Sequence, residues 1–249
     1  MDSPFILVPL YIYPLAGAWE PLFQVAAAHP RVRFVAIINP DSGPGDTALP
    51  DEDYVAALRR LSEIPNVFTL GYVHCSYGER PVDAIEADIA VYRAWTGRLE
   101  LGGIFFDEAP SDAHHVQFMA ALAHHTKSTW QRDLGKDGMV IYNPGVVVAS
   151  GYFEHADYVV VFEESEDHWN GSSARPELQQ ASVEARSKSV AIIHSGPTKG
   201  GKVEALTRQV RSLGVTGVFV TDEQDGGYTK WPAAWEQFAE AVAGMHRAT

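Results

Sequence analysis

Residues 102–110 read GGIFFDEAP, an apolar run opened by two glycines and closed by two acids and a proline. A run of this length, rich in β-branched and aromatic residues, suits a strand buried on both faces. Its two acids, Asp107 and Glu108, then stand where the sheet stops. Residues 156–164, ADYVVVFEE, repeat the pattern and end in Glu163 and Glu164. Working outward from these two runs, similar ones recur every 25–35 residues, giving strands over Phe5–Ile12, Arg33–Asn39, Val67–Val73, Leu101–Asp107, Met139–Tyr142, Tyr158–Phe162, Ser189–His194 and Gly217–Thr221. Amphipathic segments fill the intervals. They predict helices over Trp19–Ala28, Asp51–Glu63, Pro81–Trp95, Asp112–Arg132, a short one after Pro144, Arg175–Arg186, Val203–Leu213 and Pro232–Arg247. Pro81 and Pro232 suit first helical turns, and Ser111-Asp112 suits a cap. Eight strand–helix pairs in 249 residues predict one (β/α)8 TIM barrel, a single domain over 1–249. The Gly-rich first turn of an open dinucleotide-binding sheet is missing.

Composition narrows the classes of partner. The 19 basic and 32 acidic residues give a formal charge of −13, which repels phosphate backbones and anionic membranes and argues against nucleic acid as a partner. No apolar stretch is long enough to span a membrane. The lone cysteine, Cys75, excludes an internal disulfide and any CxxC-type metal site, and a barrel of this size needs neither. The opening MDSPFILVPLYIYPLAG carries Asp2 in place of a basic n-region and has prolines through the run, so it is read as the first strand and not as a signal peptide. The expectation is a cytoplasmic protein or one whose export signal has been removed.

Barrel chemistry sits at the carboxyl ends of the strands. Here those ends are polar: Tyr11 and Tyr13 after strand one, Asn39 with PDSGPG after two, Tyr72, His74, Tyr77 and Arg80 around three. Asp107-Glu108 end strand four, Asn143 follows five, Glu163-Glu164 follow six, His194 ends seven and Thr221-Asp222 end eight. Carboxylates, amides, imidazoles and flat aromatic rings around one mouth are what a sugar requires, and Trp169 is a loop candidate for stacking. Neighbours on a strand point to opposite faces, so one of Asp107 and Glu108 faces the mouth and the other contacts substrate or orients a neighbour. A carboxylate from strand four and one from strand six are the minimum for glycosidic cleavage, one protonating the leaving oxygen and one attacking or activating water. An acid after a strand can also merely cap a helix or pair with Lys; two such ends in one barrel favour chemistry.

The same residues carry a family resemblance. VPLYIYP with the following AW, IINPDSGPG, GYVHCSYGER, the helix IEADIAVYRAW leading to GGIFFDE, YNPG and DYVVVFE run in order from about residue 8 to residue 163. As a set they resemble the spherulin-4-like (spherulation-specific family 4) proteins, assigned to glycoside hydrolase family 135. The resemblance implies an exported, eight-stranded barrel that cleaves α-1,4-linked N-acetylgalactosamine/galactosamine polysaccharide of the galactosaminogalactan type in endo fashion. It carries the family's acids onto Asp107, Glu108 and Glu163. By analogy with retaining α-glycosidase barrels, Asp107 is nucleophile and Glu163 acid/base, with Glu108 supporting or exchanging roles with Asp107. A carboxyl separation of about 5 Å accompanies retention and about 6.5–9.5 Å inversion. The expected partner is a polysaccharide, met by a monomer without cofactor. The competing readings are a carbohydrate-binding barrel that has lost catalysis and a phosphosugar-processing barrel enzyme; the three acids speak against the first, and the lack of a Lys at a strand end speaks against the second.

Other motifs have plainer readings. Gly196-Pro-Thr-Lys-Gly-Gly-Lys202 has phosphate-loop spacing, but Val203 stands where the magnesium-binding hydroxyl belongs, so a loop at the mouth is expected. His114-His115 and His124-His125 are separated by about 15 Å of helical rise and read as a solvated face. His74 and His194 read as hydrogen-bonding residues, and no metal site is expected. Asn170-Gly171-Ser172 matches a glycosylation acceptor that arises often by chance.

Overall fold

The computed structural model describes residues 4–95, 97–224 and 226–245. Eight parallel strands close into one barrel in sequence order. They are β1 (Phe5–Leu10), β2 (Arg33–Ile38), β3 (Val67–His74), β4 (Gly103–Asp107), β5 (Met139–Tyr142), β6 (Tyr158–Ser165), β7 (Ser189–His194) and β8 (Gly217–Val220). Closure comes from Phe5 and Ile6 pairing with Gly217 and Val218. Every predicted strand is present, with ends moved by a residue or two except at β6, which runs three residues further and takes both acids into the sheet.

The outer ring holds α1 (Glu20–Ala28), α2 (Glu52–Leu61), α3 (Val82–Ala94), α4 (Val116–Leu134), α5 (Gly151–His155), α6 (Glu166–Gly171), α7 (Ala174–Gln180), α8 (Val183–Ser187), α9 (Gly200–Ser212) and α10 (Trp235–Met245). Their limits follow local chemistry. Asp51 caps α2 by accepting the Tyr54 N–H at 3.0 Å, and Gly135 ends α4 at φ 66°, a conformation that costs a glycine little. Asp112 accepts the His114 N–H as a cap should, although a short 3₁₀ turn intervenes before α4. The helix predicted over Arg175–Arg186 is two helices: Ala181 is extended, and Ser182 starts α8 by accepting the Ala185 N–H. The last predicted helix starts at Trp235; residues 246 and 247 of its predicted span lie outside the described residues.

The barrel floor is plugged by Arg33. Its guanidinium donates to the Tyr158 hydroxyl across the barrel at 2.6 Å and lies over the Phe5, Phe68 and Tyr158 rings, so the charge is both hydrogen-bonded and held against aromatic faces. Close approaches explain two glycines. A Cβ on Gly103 would fall 2.0 Å from the Met139 carbonyl, and one on Gly71 would enter the Tyr92 ring. The Trp231 and Trp235 indoles donate to the Ala18 and Pro21 carbonyls, which ties the last helix to the first and closes the outer ring. Among the described residues no helix is long and apolar enough to cross a membrane.

Candidate active site

Strand register decides which side chains enter the mouth. Arg33 points inward, so its β1 partner Phe5 does too, and alternation brings Leu7, Pro9 and Tyr11 to the same face. Val35 pairs with Phe68, which turns Tyr72 and His74 inward, and His74 pairs with Asp107. Phe105 pairs with Ile141, so Asn143 faces inward as well. On β6, Tyr158 is inward, and plain alternation would follow it with Val160, Phe162 and Glu164. A register shift intervenes: Val160 pairs with Val190, but Phe162 pairs with Ala191 and Glu163 with Ile192. Val161 is therefore an extra residue, a β-bulge, and past it Glu163 takes the inward face.

Asp107 and Glu163 meet at one amide. Asn143 Nδ2 donates to Asp107 Oδ1 at 2.7 Å and to Glu163 Oε2 at 2.5 Å, so those two oxygens are no more than about 5 Å apart. The Tyr72 hydroxyl favours the ionised form of Asp107, and the Tyr228 hydroxyl donates to Glu163 Oε1 at 2.6 Å. Tyr11 packs edge-on against both tyrosine rings and completes an aromatic wall. Burial pushes the Asp107 carboxyl above its ordinary range, while hydrogen bonds from Tyr72, the Glu108 backbone and Asn143 pull it partway back. Glu163 is raised by burial and then by the Asp107 charge, with Tyr228 and Asn143 opposing. Tyr11, Tyr72 and Tyr228 are all held strongly in the neutral hydroxyl form, first by burial and then by the nearby carboxylates. Both carboxyls are raised and share the Asn143 amide, so they titrate as one coupled pair.

A second pair of acids stands at the rim. Glu108 adopts φ 47°, its carboxylate lies 3.8 Å from His74 Nδ1, and its carbonyl accepts the Tyr77 N–H at 2.7 Å. Glu164 lies 3.3 Å from His194 Nε2. Among the described residues, the non-glycine ones in the left-handed region are Ser42, Ser76, Tyr77, Glu108, Ser195 and Tyr228, each in the connection that follows a strand. Strain of this kind concentrates where a loop must aim a side chain.

Of the predicted site residues, Asp107, Glu163, Asn143, Tyr11 and Tyr72 form the centre, and Glu108, His74 and His194 form the rim. Tyr77 is 67% exposed, on the loop after β3, and its hydroxyl feels Glu108, Asp107 and Glu163. Five other positions serve different ends. Trp169 is no stacking platform: it is fully buried in α6, edge-on to Phe162, with its indole donating to Gln209. Arg80 is spent on Asp88 at 2.7 Å and on the His74 and Ala84 carbonyls, fastening the loop after β3. Asp222 accepts the Ala233 N–H and anchors the segment before α10. Tyr13 donates to Asp51 and Asp53 at the start of α2, and Asn39 accepts the Gly43 N–H within its own loop. Two residues were missed: Tyr228, and Glu223, whose carboxylate accepts the Thr229 N–H and hydroxyl and the Lys230 N–H. The adjacent Gly226-Gly227 pair was the available signal for a loop bent back over the mouth. The phosphate-loop lookalike opens α9, and His115 and His125 pair with Asp112 and Glu86 on the helix surface. Among the described residues no group of three or more His, Cys, Asp or Glu is placed to hold a metal ion.

A closed (β/α)8 barrel with two half-buried, amide-bridged carboxylates at the carboxyl end of its sheet defines the class of protein: a paired-acid barrel. Within that class the chain belongs to the spherulation-specific family 4, whose pattern matches residues 5–242. Spherulin-4 of Physarum polycephalum is 34% identical over 251 residues, covering 97% of this chain and 70% of that protein. The crystal structure of Aspergillus clavatus Sph3 in complex with GalNAc is 33% identical, covers 97% of this chain and 98% of that one, and superposes with a TM-score of 0.87. A chitinase from Bacteroides thetaiotaomicron, at 10% identity and a TM-score of 0.56 over 97% of this chain and 96% of that one, shares the fold.

Proposed function

We propose that this protein is an endo-acting glycoside hydrolase that cleaves α-1,4-linked N-acetylgalactosamine/galactosamine polysaccharide with retention of configuration. The observation that carries the reading is the Asp107–Glu163 pair bridged by Asn143. Two carboxylate oxygens no more than about 5 Å apart suit a double displacement better than the wider gap an inverting enzyme needs for its water. The GalNAc bound by the Aspergillus clavatus relative supports the sugar class. Exposed Tyr77 and Val146, on the loops after β3 and β5, offer contacts to sugars beyond the one cleaved, as an endo enzyme requires. The partner of the site in this reading is the polysaccharide.

In this mechanism Glu163 donates its proton to the glycosidic oxygen as the C1–O bond breaks, and the Asp107 carboxylate attacks C1 to form a glycosyl ester. The leaving chain departs as an alcohol. Glu163, now ionised, takes a proton from water, whose oxygen attacks C1 and releases Asp107. Glu108, beside His74 at the rim, faces substrate and supports Asp107 from the next position along the chain.

The test is incubation with α-1,4-linked galactosaminoglycan, reading released oligosaccharides and the configuration of the new reducing end, with Asp107→Asn and Glu163→Gln in parallel. The parent is expected to release oligosaccharides and both variants to lose activity. Full activity in either variant refutes the mechanism, and sugar binding without release by the parent identifies a non-catalytic barrel.

A further inference from the structure

We infer that Tyr228, clamped by Glu223, is a positioning residue that fixes the plane of the Glu163 carboxyl and sets its proton affinity. Asn143 and Tyr228 bind opposite oxygens of Glu163, at 2.5 and 2.6 Å. One donor fixes where a carboxyl sits; two on different oxygens also fix its terminal torsion, which is otherwise broad and roughly two-fold. The lone pairs left over then point in set directions for taking and giving a proton.

Tyr228 has no strand or helix to hold it. It stands on the loop between β8 and α10 at φ 50°, a conformation unfavourable for a bulky side chain. The buried Glu223 carboxylate compensates by gathering the Thr229 N–H at 3.2 and 2.9 Å, the Thr229 hydroxyl at 2.6 Å and the Lys230 N–H at 3.4 Å. The Glu223 carbonyl also accepts the Ser195 N–H, which couples this loop to the one after β7. Tyr11 and Phe219 each meet the Tyr228 ring edge-on, with centroids 5.9 Å away. Gly227 leaves the Glu223 carboxylate room: a Cβ there would stand 3.2 Å from Oε1.

The groups facing Glu163 are Asp107 from β4, Asn143 at the end of β5, Tyr228, and the Tyr11, Tyr72 and Tyr77 hydroxyls. Of these, Tyr228 and Asn143 are the donors that favour its ionised form. Losing the Tyr228 donor therefore raises the Glu163 pKa, by about one to two pH units if the bond has the strength usual for a charged acceptor.

The kinetic part of this inference rests on the glycosidase reading, so the deciding measurement does not use activity. Side-chain carboxyl resonances of ¹³C-glutamate-labelled protein are titrated in the parent, Tyr228→Phe and Glu223→Gln, with Glu163→Gln assigning the Glu163 signal. The expected result is a Glu163 midpoint raised by about one pH unit or more in Tyr228→Phe. A smaller rise is expected in Glu223→Gln, which keeps Tyr228 but loosens its loop. An unmoved midpoint in Tyr228→Phe overturns the inference. Should that variant fail to fold, an unmoved midpoint in Glu223→Gln does the same. On polysaccharide, the basic limb of kcat/KM should move up with the midpoint. If the parent cleaves nothing, the glycosidase reading falls while the titration still decides the role of Tyr228.

Discussion

Replacing Glu163 by Gln should make the folded protein more stable at neutral pH while removing its activity. The folded-state pKa of Glu163 is raised by burial and by the Asp107 charge. A carboxyl raised in this way weakens the fold as pH climbs through its unfolded value, because the unfolded chain gives up the proton first, and the loss is complete above the folded value. Glutamine never ionises and escapes that loss. Both contacts can survive, since the Gln oxygen can accept from Asn143 and its amide can donate to the Tyr228 oxygen. Each unit of elevation is worth about 1.4 kcal/mol. In a chain of this size that corresponds to a rise in Tm of about 3–5 °C. The assay is thermal unfolding of parent and variant from pH 3 to pH 8. The difference should be largest at pH 7–8 and vanish below about pH 4, where the ordinary glutamate is protonated in both states. A variant that melts below the parent at pH 7, or a gain that persists at pH 3, refutes the reasoning.

Glu164→Gln, one residue along β6, should leave turnover within about tenfold of the parent, whereas Glu163→Gln should lose about 10²–10⁴-fold in kcat; oligosaccharide release measures both. Asn143→Ala removes a donor that lowers the pKa of both acids, so the acidic limb of kcat/KM, which follows ionisation of Asp107, should move to higher pH by about one unit. Trp169→Ala should cost about 3–5 kcal/mol in guanidinium unfolding, the penalty for emptying a core indole, with KM for polysaccharide unchanged in the folded fraction. A raised KM with unchanged stability would restore Trp169 to the sugar site.

The barrel was legible because buried parallel strands are written as near-continuous apolar runs, and eight of them stand at regular intervals. Asp107 was legible for the same reason: the charge ends the run FFD at the point where its strand ends. What stayed hidden depended on backbone geometry. Val159, Val160 and Val161 are identical residues, and nothing in the letters says that one of them is doubled against its partner strand. Tyr228 reaches Glu163 through a left-handed backbone and a clamp on Glu223, neither of which leaves a periodic trace. Helix α6 has six residues, mostly polar, so its periodicity is too short to detect and Trp169 looked like a loop residue; a Ser165 cap and the docking of one indole against Phe162 are what define it. Arg80 and Asp222 stand on the loops after β3 and β8, but their charges are already committed to holding those loops.

The extra residue in β6 means that the identity of the inward acid is an address set by counting, and not by the side chain alone. With an unbroken ladder the same letters would turn Glu164 inward and send Glu163 to the outside. Deleting Val161 would instead straighten the strand and leave Glu163 opposite Ile192, where it is now. A one-residue insertion or deletion in this strand can therefore exchange or preserve a carboxylate in the mouth without changing any acid. In comparing relatives, the position to align on β6 is the pairing with β7, since the distance from the start of the strand can differ while the chemistry stays the same.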